Sequence, residues 1–98
     1  MLRTVTINDP QGLHMRPATV IAKRAREFRS NVVLRLDDRM ANVKSQLELM
    51  MLAAEPGATL VLEVDGEDAE AALSALANLI ESVSAEGADD DPGPPPKG

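Results

Sequence analysis

Apolar positions along this chain switch repeatedly between a period of two and a period near 3.6. From Leu2 to Ile7, Val5 and Ile7 fall on one side and Thr4 and Thr6 on the other, the pattern of a half-buried strand. Asn8-Asp9-Pro10-Gln11-Gly12 is a cluster of turn formers and predicts a loop. From Met15 to Phe28 the spacing becomes helical. Ala18, Ile21, Ala22, Ala25 and Phe28 line one stripe, Lys23, Arg24, Arg26 and Glu27 lie opposite, and Pro17 sits in the first turn, where a missing N–H costs little. Asn31–Asp37 alternates again with Val32, Leu34 and Leu36 on one face; Asp37-Asp38 is a turn signal, and Arg39–Val43 reads as a short strand. A short helix from Ser45 to about Ala54 ends before Pro56-Gly57, and Thr59–Asp65 alternates with Leu60, Leu62 and Val64 inward. After the turn Asp65-Gly66-Glu67-Asp68, a last helix carries the apolar stripe Ala69, Ala72, Leu73, Leu76, Leu79, Ile80 and Val83.

The predicted order is β-α-β-β-α-β-α. Short strands joined by tight loops, each with one wet face, suggest an antiparallel sheet with helices on one side, an α+β architecture. From Glu86 onward the chain is rich in Pro, Gly and Asp without apolar periodicity. Such a segment buries too little surface to offset its ordering entropy, so 1–85 is expected to form the domain and 86–98 a disordered acidic, proline-rich tail.

With 98 residues and one aromatic, Phe28, the core must be built from Leu, Val, Ile, Ala and Met. There is no cysteine, hence no thiolate chemistry or disulfide. Nothing resembles a signal peptide and no apolar run is long enough to span a bilayer, so no membrane role is expected and the cytoplasm is the default compartment. The net charge of −6 argues against general nucleic-acid binding. It is unevenly spread: residues 1–45 hold nine Lys/Arg against four Asp/Glu, while 46–98 hold one against twelve. Either the helix faces are simply solvated by the charge to hand, or the first half hosts an anion or an acidic partner.

The segment Gly12-Leu13-His14-Met15-Arg16-Pro17-Ala18 combines the only histidine with a glycine loop and a helix start. A helix start presents unpaired N–H groups and the positive end of the dipole, which suits an anion. Free imidazole is largely neutral at pH 7, so one ring nitrogen can act as a nucleophile. Arg16 can offer a planar fork of donors to phosphate oxygens. These parts fit phosphoryl transfer, in which positioning and charge stabilisation do most of the work. The alternative is a histidine that only caps the helix or fills the loop. A metal site would lack a second His or Cys, so no metal or cofactor is expected. No serine sits in the strand-turn-helix setting of a Ser-His-Asp hydrolase.

This segment resembles the active-site motif Gly-[Leu/Ile]-His-x-Arg-Pro-Ala of the HPr phosphocarriers of the bacterial sugar phosphotransferase system, with every fixed position matched. The likeness extends over about residues 1–84. Asn42-Val43-Lys44-Ser45 is similar to the family's second motif, and Val64-Asp65-Gly66-Glu67-Asp68 with the following Ala/Leu-rich helix to its closing section. The resemblance implies an open-faced β-sandwich, with a four-stranded antiparallel sheet covered on one face by three helices. It implies that His14 is phosphorylated by Enzyme I, which draws on phosphoenolpyruvate, and that the group passes to a IIA component. Arg16 would stabilise the group in transfer, and Met15, Pro17 and Ala18 would form the helix start that holds it. The chain would then be a stoichiometric carrier rather than an enzyme. A regulatory carrier, as in the nitrogen-related branch, and a pure interaction module remain open.

Ser45 has two readings. Ser45-Gln46-Leu47-Glu48 is a capping-box pattern, and such a cap contributes about 1 kcal/mol. The resemblance adds phosphorylation of this serine by HPr kinase/phosphorylase, although Glu48 stands where the family often has glycine and would compete for the same N–H groups. Ala53 also replaces a glycine common at the end of this helix. In Leu47–Leu52 one face cannot bury every apolar residue. Spacing assigns Leu47, Met50 and Met51 to the core and leaves Leu49 or Leu52 outside. Alternatively, Leu47, Leu49, Met50 and Met51 contribute to an adaptable docking patch near His14.

Overall fold

A computed structural model describes residues 1–85. The tail expected over 86–98 lies outside the described residues. The elements are β1 (Leu2–Thr6), α1 (Met15–Ala25), β2 (Asn31–Leu36), β3 (Arg39–Asn42), α2 (Gln46–Met51), β4 (Thr59–Asp65) and α3 (Ala69–Ala85). The order matches the periodicity reading, and several elements are shorter than their patterns. α1 stops at Ala25 because the chain tightens there: Glu27 and Phe28 donate to the carbonyls of Arg24 and Ala25, three residues back. Arg26 Nη1 and Lys44 Nζ then tie this end to the β3–α2 connection through the carbonyls of Lys44 and Phe28.

All strands pair antiparallel in the order β1-β4-β2-β3. Sequence patterns gave the strands but not this neighbour order, in which β4 inserts between β1 and β2. The registers Thr4↔Val61, Val61↔Arg35 and Arg35↔Met40 run straight across the sheet. Val5, Val32, Leu34, Leu60, Leu62 and Val64 point to one face, where Ile21, Leu76 and Ile80 of the helices meet them in a continuous core. The other face is open. It carries an ion pair between Arg35 and Glu63 (Nε–Oε2 2.7 Å), and the hydrogen bond from Arg35 holds the Glu63 carboxyl below its ordinary range. The molecule is therefore an open-faced α+β sandwich of four antiparallel strands and three helices.

The α2 stripe corrects the spacing argument. Leu49 and Leu52 are buried, whereas Leu47 and Met51 are 67% and 70% exposed and Met50 is half-buried. Two bonds set the rotation of this short helix. Ser45 Oγ accepts from Glu48 N (3.2 Å), and the Glu48 carboxylate accepts from Asn42 N (2.9 Å) on β3. With Glu48 turned to β3, its neighbours Leu49 and Leu52 face the core. Leu49, expected among the docking residues, is removed from that surface by its burial.

Beyond α2, Ala53 adopts φ +58°, a left-handed conformation that disfavours a side chain. At the other end of the sheet, Asp68 binds the start of β2. Its carboxylate accepts from Arg29 N (2.9 Å), Ser30 N (2.9 Å) and Ser30 Oγ (2.5 Å). The Ser30 hydroxyl, followed by the Arg29 N–H, pulls its pKa from 3.8 to about 2.

Candidate phosphoryl-acceptor site

The β1–α1 loop is built to present His14. Gly12 has φ +75°, and a Cβ there would stand 2.3 Å from the Ala54 carbonyl oxygen. Only glycine tolerates both the backbone conformation and that approach. The approach is fixed by Leu13 N, which donates to Ala54 O at 2.9 Å, and by the buried Leu13 side chain. Gly12 N donates back to Asp9 O at 2.9 Å, closing the turn.

His14 is the N-cap residue of α1, with extended backbone (φ −97°, ψ −167°). Its side chain makes no capping bond, so the ring is not occupied in satisfying the helix. The ring is 31% exposed, partly seated and partly open to solvent. Nε2 lies 3.2 Å from Oδ1 of Asp9, which also accepts from Gln11 N at 2.8 Å. An ionised Asp9 can only accept, so this bond selects the ring form in which Nε2 carries the proton and donates. In the neutral ring the lone pair then resides on Nδ1. The first turn of α1 adds N–H groups without intrahelical acceptors, except at Pro17, which has none to offer. Pro17 and Ala18 are buried and fix that turn against the core, while Met15 and Arg16 are exposed. Asp9, Pro10, Gln11, His14, Arg16 and Thr19 are among the residues lining a shallow cleft of about 750 Å³. The cleft therefore holds a nucleophilic nitrogen, a helix N-terminus and a guanidinium, a combination able to receive a small anion.

The residues expected at the site are thus brought together: His14, Met15, Arg16, Pro17 and Ala18 occupy one helix start. Ser45 stands elsewhere, as the N-cap of α2 with its hydroxyl accepting from Glu48 N. Asp9 was missed. In sequence it reads as one more turn former before Pro10, and nothing in local spacing shows that its side chain folds inward beneath the histidine. Among the described residues no cluster of His, Cys, Asp and Glu could hold a metal ion, and no helix is long and apolar enough to cross a membrane.

Comparison with known proteins agrees with this geometry. Residues 1–82 match the family model described as the PTS HPr component phosphorylation site. The phosphocarrier protein HPr of Lysinibacillus sphaericus is 41% identical over 75 residues, covering 76% of this chain and 85% of that protein. The HPr of Borreliella burgdorferi is 41% identical over 76 residues, covering 78% of this chain and 88% of its own length. Among solved structures, the histidine-containing phosphocarrier protein of Mycoplasma superposes with a TM-score of 0.82 at 32% identity, covering 87% of this chain and 97% of that one. HPr-C-His from Thermoanaerobacter tengcongensis gives 0.81 at 30% identity, covering 93% and 99%. Sequence, fold and the histidine-bearing helix start converge, and the chain belongs to the HPr family of phosphocarrier proteins.

Proposed function

We propose that His14 accepts a phosphoryl group on Nδ1 from phosphorylated Enzyme I and passes it to a IIA component. The observation that carries this is the bond between His14 Nε2 and Asp9, which leaves the Nδ1 lone pair available beside a helix N-terminus. Attack by a neutral nitrogen on an incoming phosphoryl group needs charge stabilisation more than proton transfer. Arg16 and the first-turn N–H groups are suited to provide it. Exchange between partners requires a surface that several proteins can cover. Met15, Leu47 and Met51 are exposed on α1 and α2, two helices that pack against each other, and they support such a docking role beside the partly buried Met50. The basic Lys23, Arg24 and Arg26 would favour acidic partner surfaces.

Ser45 fits the structural role better than the regulatory one. Its hydroxyl caps α2, and the Glu48 carboxylate stands at the same helix start, where a seryl phosphate would meet like charge.

The test is incubation of the full chain with phosphoenolpyruvate and a cognate Enzyme I, read by mass spectrometry. An acid-labile gain of one phosphate is expected. It should be absent in His14→Ala and discharged by a IIA component. Arg16→Ala should slow the transfer without a comparable loss of melting temperature. Absence of labelling under conditions that load a known carrier would favour a plain interaction module.

A further inference from the structure

We infer that Asp9 is the positioning residue of His14: its buried carboxylate holds the ring as the Nε2–H tautomer and balances the positive charge that the ring gains when Nδ1 is phosphorylated. This rests on the reading of His14 as the phosphoryl acceptor. Asp9 is 2% exposed, and buried carboxylates are rare unless paired. Oδ1 has two donors, Gln11 N and His14 Nε2. Oδ2 is buried too, yet among the described residues it has no hydrogen-bond partner. A group so placed costs stability in the resting protein, and an unsatisfied buried atom in a native fold calls for a reason. The ring it faces supplies one.

In the transfer step the Nδ1 lone pair forms the N–P bond while the donor's bond to phosphorus breaks, the electron pair staying on the donor atom. No proton moves on the ring. Nε2 keeps its hydrogen, and the ring becomes a phosphorylimidazolium with a formal positive charge. The Asp9 carboxylate then lies 3.2 Å from the nitrogen that shares this charge. An incompletely satisfied anion gains more from a cationic ring than from a neutral one, so the interaction is stronger after the attack than before it. On onward transfer the N–P electron pair returns to Nδ1 and the same neutral tautomer is restored. A buried aspartate behind a reacting histidine does this in the serine-protease arrangement, where it orients the ring and stabilises the imidazolium without itself being protonated.

Two measurements on the full chain test the proposal. The first is ¹⁵N NMR of the unphosphorylated protein at a pH where the ring is neutral. Wild type should show a pyridine-type Nδ1 and a pyrrole-type Nε2, and Asp9→Ala should admit a detectable share of the Nδ1–H form. An Nδ1–H ring in wild type, or an unchanged tautomer balance in Asp9→Ala, overturns the proposal. The second is the rate of phosphorylation by Enzyme I. Asp9→Asn keeps the shape and the accepting oxygen but removes the charge, so the rate per folded molecule should fall about tenfold, the scale of a hydrogen bond to a charged group. A wild-type rate in folded Asp9→Asn would reduce Asp9 to a structural part and overturn the charge-balancing role. If wild type itself accepts no phosphate, the carrier reading fails, and the tautomer measurement still decides whether Asp9 sets the ring. If neither variant folds, the wild-type spectrum alone remains decisive.

Discussion

Ala53→Gly is expected to make the protein more stable. Ala53 follows α2 and is exposed, with φ +58°. An L-residue in that left-handed conformation carries a penalty of about 1–2 kcal/mol relative to right-handed backbone. Glycine escapes the penalty but gives the unfolded chain more freedom, an opposing effect of about 0.5–1 kcal/mol. Because the Ala53 methyl is exposed, its removal leaves no cavity, and the difference survives as a net gain of about 0.5–1 kcal/mol. For a domain of this size that corresponds to a rise in melting temperature of about 2–8 °C. Reversible thermal unfolding followed by circular dichroism would measure it, and urea titration should show a higher midpoint with an unchanged slope. Ala71→Gly provides the contrast: Ala71 is exposed too but lies within α3, and its replacement is expected to cost about 0.5–1 kcal/mol. If both substitutions destabilise alike, backbone strain at Ala53 is not what governs this connection.

Three further outcomes are expected. Leu49→Ala should cost about 2–5 kcal/mol in denaturant titrations, whereas Leu47→Ala and Met51→Ala, made at positions 67% and 70% exposed, should leave the midpoint nearly unchanged; the reverse would restore the stripe that spacing suggested. Gly12→Ala places a Cβ 2.3 Å from Ala54 O at φ +75°, so it should lower the melting temperature and also slow phosphorylation of His14, measured in parallel on the same preparation. The Asp68 carboxyl is held at about 2 against an ordinary 3.8, so its contribution is complete above about pH 4 and is lost as the pH falls towards 2; a pH series of melting temperatures should show a shallower acid decline in Asp68→Asn than in wild type.

Much of the fold was legible because the periodicities are unambiguous where elements are long. The alternation in Thr59–Asp65 and the stripe of α3 left little choice, and β4 is buried on one face as its pattern requires. α2 defeated the same reasoning because six residues, with apolar side chains on more than one side, have no preferred face of their own. Its rotation is decided by Glu48 reaching Asn42 on a neighbouring strand, a tertiary contact that local spacing does not encode. Neighbour order in the sheet was hidden for a related reason: antiparallel strands of similar composition pair in several ways until the helices choose. At the site, His14 and Arg16 were visible because their chemistry is carried by residue type next to a helix start. Asp9 was not, since turn-forming aspartates are normally solvated and only the folded loop shows this one turned inward.

The bond from Leu13 N to Ala54 O joins the histidine loop to a segment made much later in synthesis. A nascent chain whose ribosome has not yet reached Ala54 already contains the histidine, but it lacks the carbonyl that anchors the loop through Leu13. The full geometry around the histidine is thereby reserved for chains extended past Ala54.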